Sequence, residues 1–310
     1  MGSNKMNCAK WGMWVGVTAF LAYSTSAWAQ QNQTPSLEND ALRYNLRGAS
    51  ASQRDNNTGA LRLHEKALKA RMAADDMAGA VLELYNIAVD TARLGNMQGA
   101  GARLDEAVRL YEEEAGMGLG RHMEKRMRQA MARVSMFKAI MLMDDPGAQK
   151  SAADWADVAM EHCEKSMCGQ RGAILNVQGR VAMTGGDPKK AAALAQKAIT
   201  ENRKNKNKLE ISNSTRLLAE VDEAQGNHEG AHGKYLSALK MDRELMLGPK
   251  IAMDLLGLAR TSSQLGVMEK ALLFAKRALL VATASDYPAG VKGATGLLEK
   301  LAAKPADSIP

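Results

Sequence analysis

Small apolar residues recur along this chain at helical spacing. Ala191, Ala195 and Ala198 fall at i, i+4 and i+7 on one helix face. Ala231, Tyr235 and Ala238 repeat the pattern, as do Ala271, Ala275 and Ala278, and earlier Ala100, Leu104 and Ala107, and Ala60, His64 and Ala67. The anchor alanines 191, 231 and 271 are 40 residues apart, and so are 60 and 100. Ala152, Ala156 and Ala159 form a weaker unit in the longer interval between 100 and 191. Gly95-Asn96, Gly185-Gly186-Asp187-Pro188, Gly226-Asn227 and Gly266 each precede one of these faces. A glycine that ends one helix, followed by Asp or Asn that caps the next, marks a helical hairpin. Hairpins with small-residue seams bury their faces only against neighbours, so a near-constant period predicts a stacked array of about six.

The residues that repeat also carry a family likeness. Small residues or Gly at the eighth position (Gly179 in the clearest unit), Ala at the twentieth, a bulky residue or Ala at the twenty-fourth and Ala at the twenty-seventh resemble the tetratricopeptide repeat (TPR) over residues 41–285. The resemblance implies an all-α, right-handed α-solenoid of TPR-like hairpins with a capping helix near 288–303. It implies repeats over 41–114, a degenerate third repeat with an insertion over 115–170, repeats four to six over 171–286, and a cap and tail over 287–310. It also implies that first-helix positions two, five, nine and twelve line a concave groove. These positions hold Ala173, Asn176, Arg180 and Met183, then Asn213, Arg216, Glu220 and Glu223, then Met253, Leu256, Arg260 and Ser263, with Asn45 and Tyr85 in the first two repeats. The candidate peptide-binding set is Asn45, Tyr85, Asn176, Arg180, Asn213, Arg216 and Arg260. Amides there suit an extended peptide backbone, and guanidinium groups suit carboxylates.

Residues 1–29 change the picture of where the chain works. Lys5 and Lys10 precede an apolar run from Trp11 to about Tyr23, which ends in Ala27-Trp28-Ala29 before Gln30. This is the pattern of a cleaved export signal, and the run is short for a membrane span. The reading places the chain in a bacterial periplasm, with retention as an anchor as the alternative. Cleavage would remove two lysines and lower the net charge from +7 to about +5. Residues 30–40 read as an unstructured lead, with the first helix beginning near Ser36.

Export makes the two remaining cysteines informative. Cys163 and Cys168 lie five residues apart across a turn in HCEKSMCG. A structural disulfide is expected, with free thiols or soft-metal binding with His162 and Met167 as alternatives. Residues 112–128 break the rhythm and read as a longer loop feeding a solvated helix, with a basic docking patch of Arg121, His122, Lys125, Arg126 and Arg128, or a break between a two-repeat and a four-repeat half, as alternatives. His228, Glu229 and His232 match HExxH, but the motif falls at a repeat turn and lacks an evident third ligand. No nucleophile elbow or phosphate loop is present. The sequence therefore predicts a non-enzymatic, cofactor-free periplasmic scaffold that binds a protein or peptide in envelope assembly or secretion. Its alternative is a redox or metal-handling protein using Cys163 and Cys168. Nucleic acid is not expected as a partner, a membrane only indirectly, and an exposed end of the stack could bring copies of the chain together.

Overall fold

The computed structural model describes residues 37–54 and 56–303. The expected export signal, most of the lead and the end of the tail lie outside them. Among the described residues there are thirteen α-helices and no strand. They run α1 Leu37–Gln53, α2 Asn57–Ala73, α3 Met77–Arg93, α4 Met97–Gly116, α5 Arg121–Leu142, α6 Gln149–Ser166 and α7 Arg171–Thr184. Then come α8 Pro188–Lys204, α9 Lys208–Ala224, α10 His228–Glu244, α11 Gly248–Gln264, α12 Met268–Ala284 and α13 Pro288–Ala302. The fold is a succession of helical hairpins of the TPR kind, as the alanine pattern predicted.

The turns explain why the helices stop and start where they do. Asn56, Asp76, Asn96, Asp187, Asn207 and Asn227 each accept a bond from the backbone N–H three residues on, at 2.8–3.1 Å. Each thereby satisfies one of the orphan donors at a helix start. The residue before these caps often sits in the left-handed region, as at Gly95, Gly186 and Gly226 with φ between +79° and +84°. Glycine suits that conformation because it has no Cβ to clash.

The chain divides into two compact units. The N-terminal unit holds the described residues up to Leu142 together with 150–170, and the C-terminal unit holds 143–149 and 171–303. In the N-terminal unit α1 to α5 pack in sequence, with α3 against α5 as well. Helix α1 begins at Leu37, next to the expected start near Ser36, and takes in the last four residues of the expected lead. Glu38 and Asp40 in the first turn favour that start. The irregular stretch at 112–128 also differs from expectation. Helix α4 runs on to Gly116, and α5 has 22 residues, so the extra length extends helices instead of lengthening the loop. Nor is α5 solvated. Met127, Met131, Val134, Met136 and Ile140 bury one side of it, which fixes its long apolar stripe against α3 and α4. Arg126 pairs with Asp76 at 2.7 Å and Arg128 with Glu124 at 2.8 Å. Cys163 and Cys168 are paired, with Cα atoms 4.7 Å apart, at the end of α6.

In the C-terminal unit each helix packs on the next from α7 to α13. The first helices of successive hairpins, α7, α9, α11 and finally α13, also lie side by side. The seam alanines carry the packing: Ala191, Ala195, Ala198, Ala231, Ala238, Ala271, Ala275 and Ala278 are fully buried. Tyr235 fills the bulky position and joins Leu239, Leu255, Leu258 and Ala294 in the core. Small side chains at these points let two helix backbones approach closely, and between α9, α10 and α11 the Tyr235 ring fills what remains.

Candidate functional site: a polar groove on α7, α9, α11 and α13

Because first helices align, residues about 40 positions apart become neighbours. They form a groove of about 430 Å3 in the C-terminal unit, lined by Arg180, Arg216, Glu220, Tyr235, Met253, Leu256, Arg260 and Tyr287, with Asp144 and Ala289 at its margin. A small recess at its floor is bounded by Asn176, Asn213, Arg216, Leu217 and Lys250.

The polar groups of the groove bond from one hairpin to the next. Asn176 donates to Glu210 at 2.7 Å and accepts from Ser214 at 2.6 Å. Arg180 donates to Glu220 at 2.9 Å. Lys250 donates to the Asn213 oxygen at 2.6 Å. Arg260 grips Glu223 with two bonds of 2.7 and 2.9 Å, and Tyr235 donates to the same carboxylate at 2.8 Å. Two-pronged bonds of this sort fix orientation as well as distance. The ladder both holds the hairpins in register and places Arg180, Leu256, Arg260 and Tyr287 along the opening.

Arg216 stands apart from the others. It is 3% exposed, donates to Asp254 at 2.7 Å, and also bonds Asp242. Burial works against its charge, but Asp254 and Asp242 outweigh burial and hold the guanidinium protonated. Burial pushes Asp254 up to about 7 despite Arg216, and pushes Lys250 down to about 8, with Arg216 adding to the shift. Tyr287 is pushed up to about 12 by burial.

These shifts give a pH dependence of stability. An acid whose folded value lies above its unfolded value binds more protons when folded, so its contribution is present below about pH 4 and is lost as pH rises through about 7. Lys250, with its folded value lowered, binds fewer protons when folded between about 8 and 10.5, so its contribution to stability grows as pH rises across that interval. Urea unfolding from pH 4 to 7 should therefore show that Asp254→Asn gains stability relative to the unsubstituted chain as pH rises. A difference between the two that stays constant across that range contradicts the assignment.

Of the residues picked out by the sequence, Asn176, Arg180, Asn213, Arg216 and Arg260 come together at the groove and its floor. Asn45 and Tyr85 lie in the N-terminal unit, and both are buried. Asn45 donates to Glu83 at 2.7 Å, and Tyr85 packs edge-on against Phe137. Lys250, Tyr235 and Tyr287 were not among the candidates. Lys250 stands 40 residues after Glu210, which Asn176 bonds, and Tyr287 caps α13 at the 20-residue turn spacing, so the repeat length contained the signal for both. The HExxH histidines are accounted for by packing and position. His232 lies 3.0 Å from the Thr261 hydroxyl and against Phe274, while His228 opens α10. Among the described residues no group of three or more His, Cys, Asp or Glu is placed to hold a metal ion.

No protein-family model matches the chain, and no curated protein matches it in sequence. Its fold is shared with solved structures. A signal-transduction ATPase of the STAND type with a tetratricopeptide repeat sensor, from Pyrococcus horikoshii, aligns with a TM-score of 0.59 at 17% identity, covering 85% of this chain and 39% of that protein's length. A Rap protein complexed with competence and sporulation factor aligns with a TM-score of 0.58 at 14% identity, covering 87% of this chain and 78% of that one. The Rap conjugation regulator of the plasmid pLS20, in complex with the Phr* peptide, gives 0.57 at 14%, covering 91% and 80%. At these identities the likeness concerns the fold.

Proposed function

We propose that the chain is a non-enzymatic periplasmic scaffold whose C-terminal groove holds an extended segment of a protein or peptide partner. The groove itself carries the reading: an open channel of about 430 Å3 with the aliphatic Leu256 and Met253 between the guanidinium groups of Arg180 and Arg260. A channel of that make-up suits a strand with an apolar side chain flanked by polar or acidic ones. Two of the structurally similar proteins were solved in complexes, one with the Phr* peptide and one with competence and sporulation factor, which supports a binding role here. Export rests on the signal-like residues 1–29, and an envelope task follows from that location.

Selection from a random peptide library displayed on phage should enrich binders, and titration should give affinities that depend on the groove. Leu256→Ser together with Arg260→Gln is expected to weaken the selected peptides at least tenfold while the helical content stays unchanged. Equal binding by the double variant removes the groove from the account. Cell fractionation with N-terminal sequencing addresses export, with a mature start at Gln30 in the periplasmic fraction as the expected result.

A further inference from the structure

The recess at the floor of the C-terminal groove is small, polar and rich in spare donors. It measures about 10 Å3, room for one water-sized group. Lys250 lies in the first turn of α11, yet it is only 6% exposed. Its ammonium donates to the Asn213 oxygen at 2.6 Å, which holds Nζ at the edge of the recess that both residues border. An ammonium has three N–H groups, and among the described residues one of them finds an acceptor. Asn213 is 8% exposed, and its oxygen is shared by Lys250 and, at 3.4 Å, by Arg216. Among the described residues nothing accepts from its Nδ2. Buried donors without acceptors are uncommon in folded chains and costly. Here they come from two helices, α9 and α11, and border the same small space.

The amine in this group has the makings of a nucleophile. Burial, followed by the charge of Arg216, favours its neutral form and brings its pKa down to about 8, against the pull of Asp242, Glu210 and Asp254. A desolvated amine beside another cation reacts readily through its lone pair. The size of the recess limits the electrophile to a few atoms. The spare donors call for a product that carries acceptor oxygens. Carbon dioxide meets both conditions, whereas a larger aldehyde, ketone or acyl donor fails the first.

We propose that Lys250 is a carbamate-forming site: its Nζ takes up carbon dioxide, and the carbamate oxygens accept from Asn213 Nδ2 and the guanidinium of Arg216. The Nζ lone pair attacks the carbon, the C–N bond forms as one C–O π bond opens onto oxygen, and Nζ gives up one proton to solvent. Nothing is oxidised or reduced, and the reverse step releases carbon dioxide unchanged. The cation at position 250 becomes an anion beside Arg216, which also borders the groove. The reaction does not depend on what the groove binds.

The test equilibrates the full chain with isotope-labelled bicarbonate, which supplies dissolved carbon dioxide, and traps carbamates by ethylation with triethyloxonium ion before mass spectrometry of its peptides. Lys250 should carry the label at least tenfold more often than Lys240, an exposed lysine on α10. At a fixed concentration of dissolved carbon dioxide, labelling should rise as pH passes through about 8, because the neutral amine reacts. Asn213→Asp keeps an oxygen to hold Nζ and replaces the spare donor by a negative charge, so it should cut labelling at least fivefold. Absence of label at Lys250, or equal label at Lys250 and Lys240, overturns the proposal. Undiminished labelling of Asn213→Asp overturns it as well. If Asn213→Asp does not fold, the comparison of Lys250 with Lys240 in the unsubstituted chain decides alone.

Discussion

Replacing Arg216 by leucine should lower the free energy of unfolding by about 3–5 kcal/mol, because removing one member of a buried ion pair leaves an uncompensated charge behind. Arg216 is 3% exposed, and Asp242 and Asp254, its two partners, are fully buried. Asp242 belongs to α10 and Asp254 to α11, so the guanidinium on α9 joins three consecutive helices. Without it the two acids face each other and Lys250 across a dry space. Adding Asp242→Asn and Asp254→Asn to Arg216→Leu removes the stranded charges and should recover much of the loss. Urea midpoints of the single and triple variants measure both effects. A single variant within about 0.5 kcal/mol of the unsubstituted chain, the range of an ordinary surface change, means the cluster does not hold these helices together.

Gly257→Ala is the second substitution with a large expected cost. A methyl group at Gly257 meets the Tyr235 ring at 2.5 Å, closer than side-chain carbons approach one another. Tyr235 is 1% exposed and packed among Leu239, Leu255 and Leu258, so the ring has little room to yield. Overfilling a packed core of this kind costs about 1–3 kcal/mol. The effect should also reach the groove, because the Tyr235 hydroxyl donates to the carboxylate that Arg260 grips. Thermal unfolding measures the cost, and peptide titration measures the transmitted effect. An unchanged melting temperature shows that the ring moves freely and that the close approach of α10 and α11 tolerates more volume than the glycine suggests.

The alanine seams were the most legible feature of the sequence, because a buried helix contact restricts side-chain volume at fixed spacing and leaves a periodic mark. The 40-residue hairpin period divides into two equal steps, because the caps at Asn56, Asp76 and Asn96, and again at Asp187, Asn207 and Asn227, recur every 20 residues. Each helix with its turn is the true step, and a hairpin is two of them. The stretch at 112–128 was harder to read. Gly116, Gly118 and Gly120 suggested a long loop, but the methionines of α5 extend its apolar stripe and pull the helix into the core. Binding residues were only partly legible. Position in the repeat located Arg180, Arg216 and Arg260, but nothing local distinguishes Arg216, buried between two aspartates, from Arg260 at the groove's edge. That difference depends on Asp242 and Asp254, which lie one and two helices further on.

Site-specific photocrosslinking in the living cell tests the central claim most directly. A benzoylphenylalanine placed at position 256, in the groove, should form an adduct with a partner polypeptide, while the same group at position 273, on the exposed outer side of α12, should not. Adducts from 273 with none from 256 contradict the account.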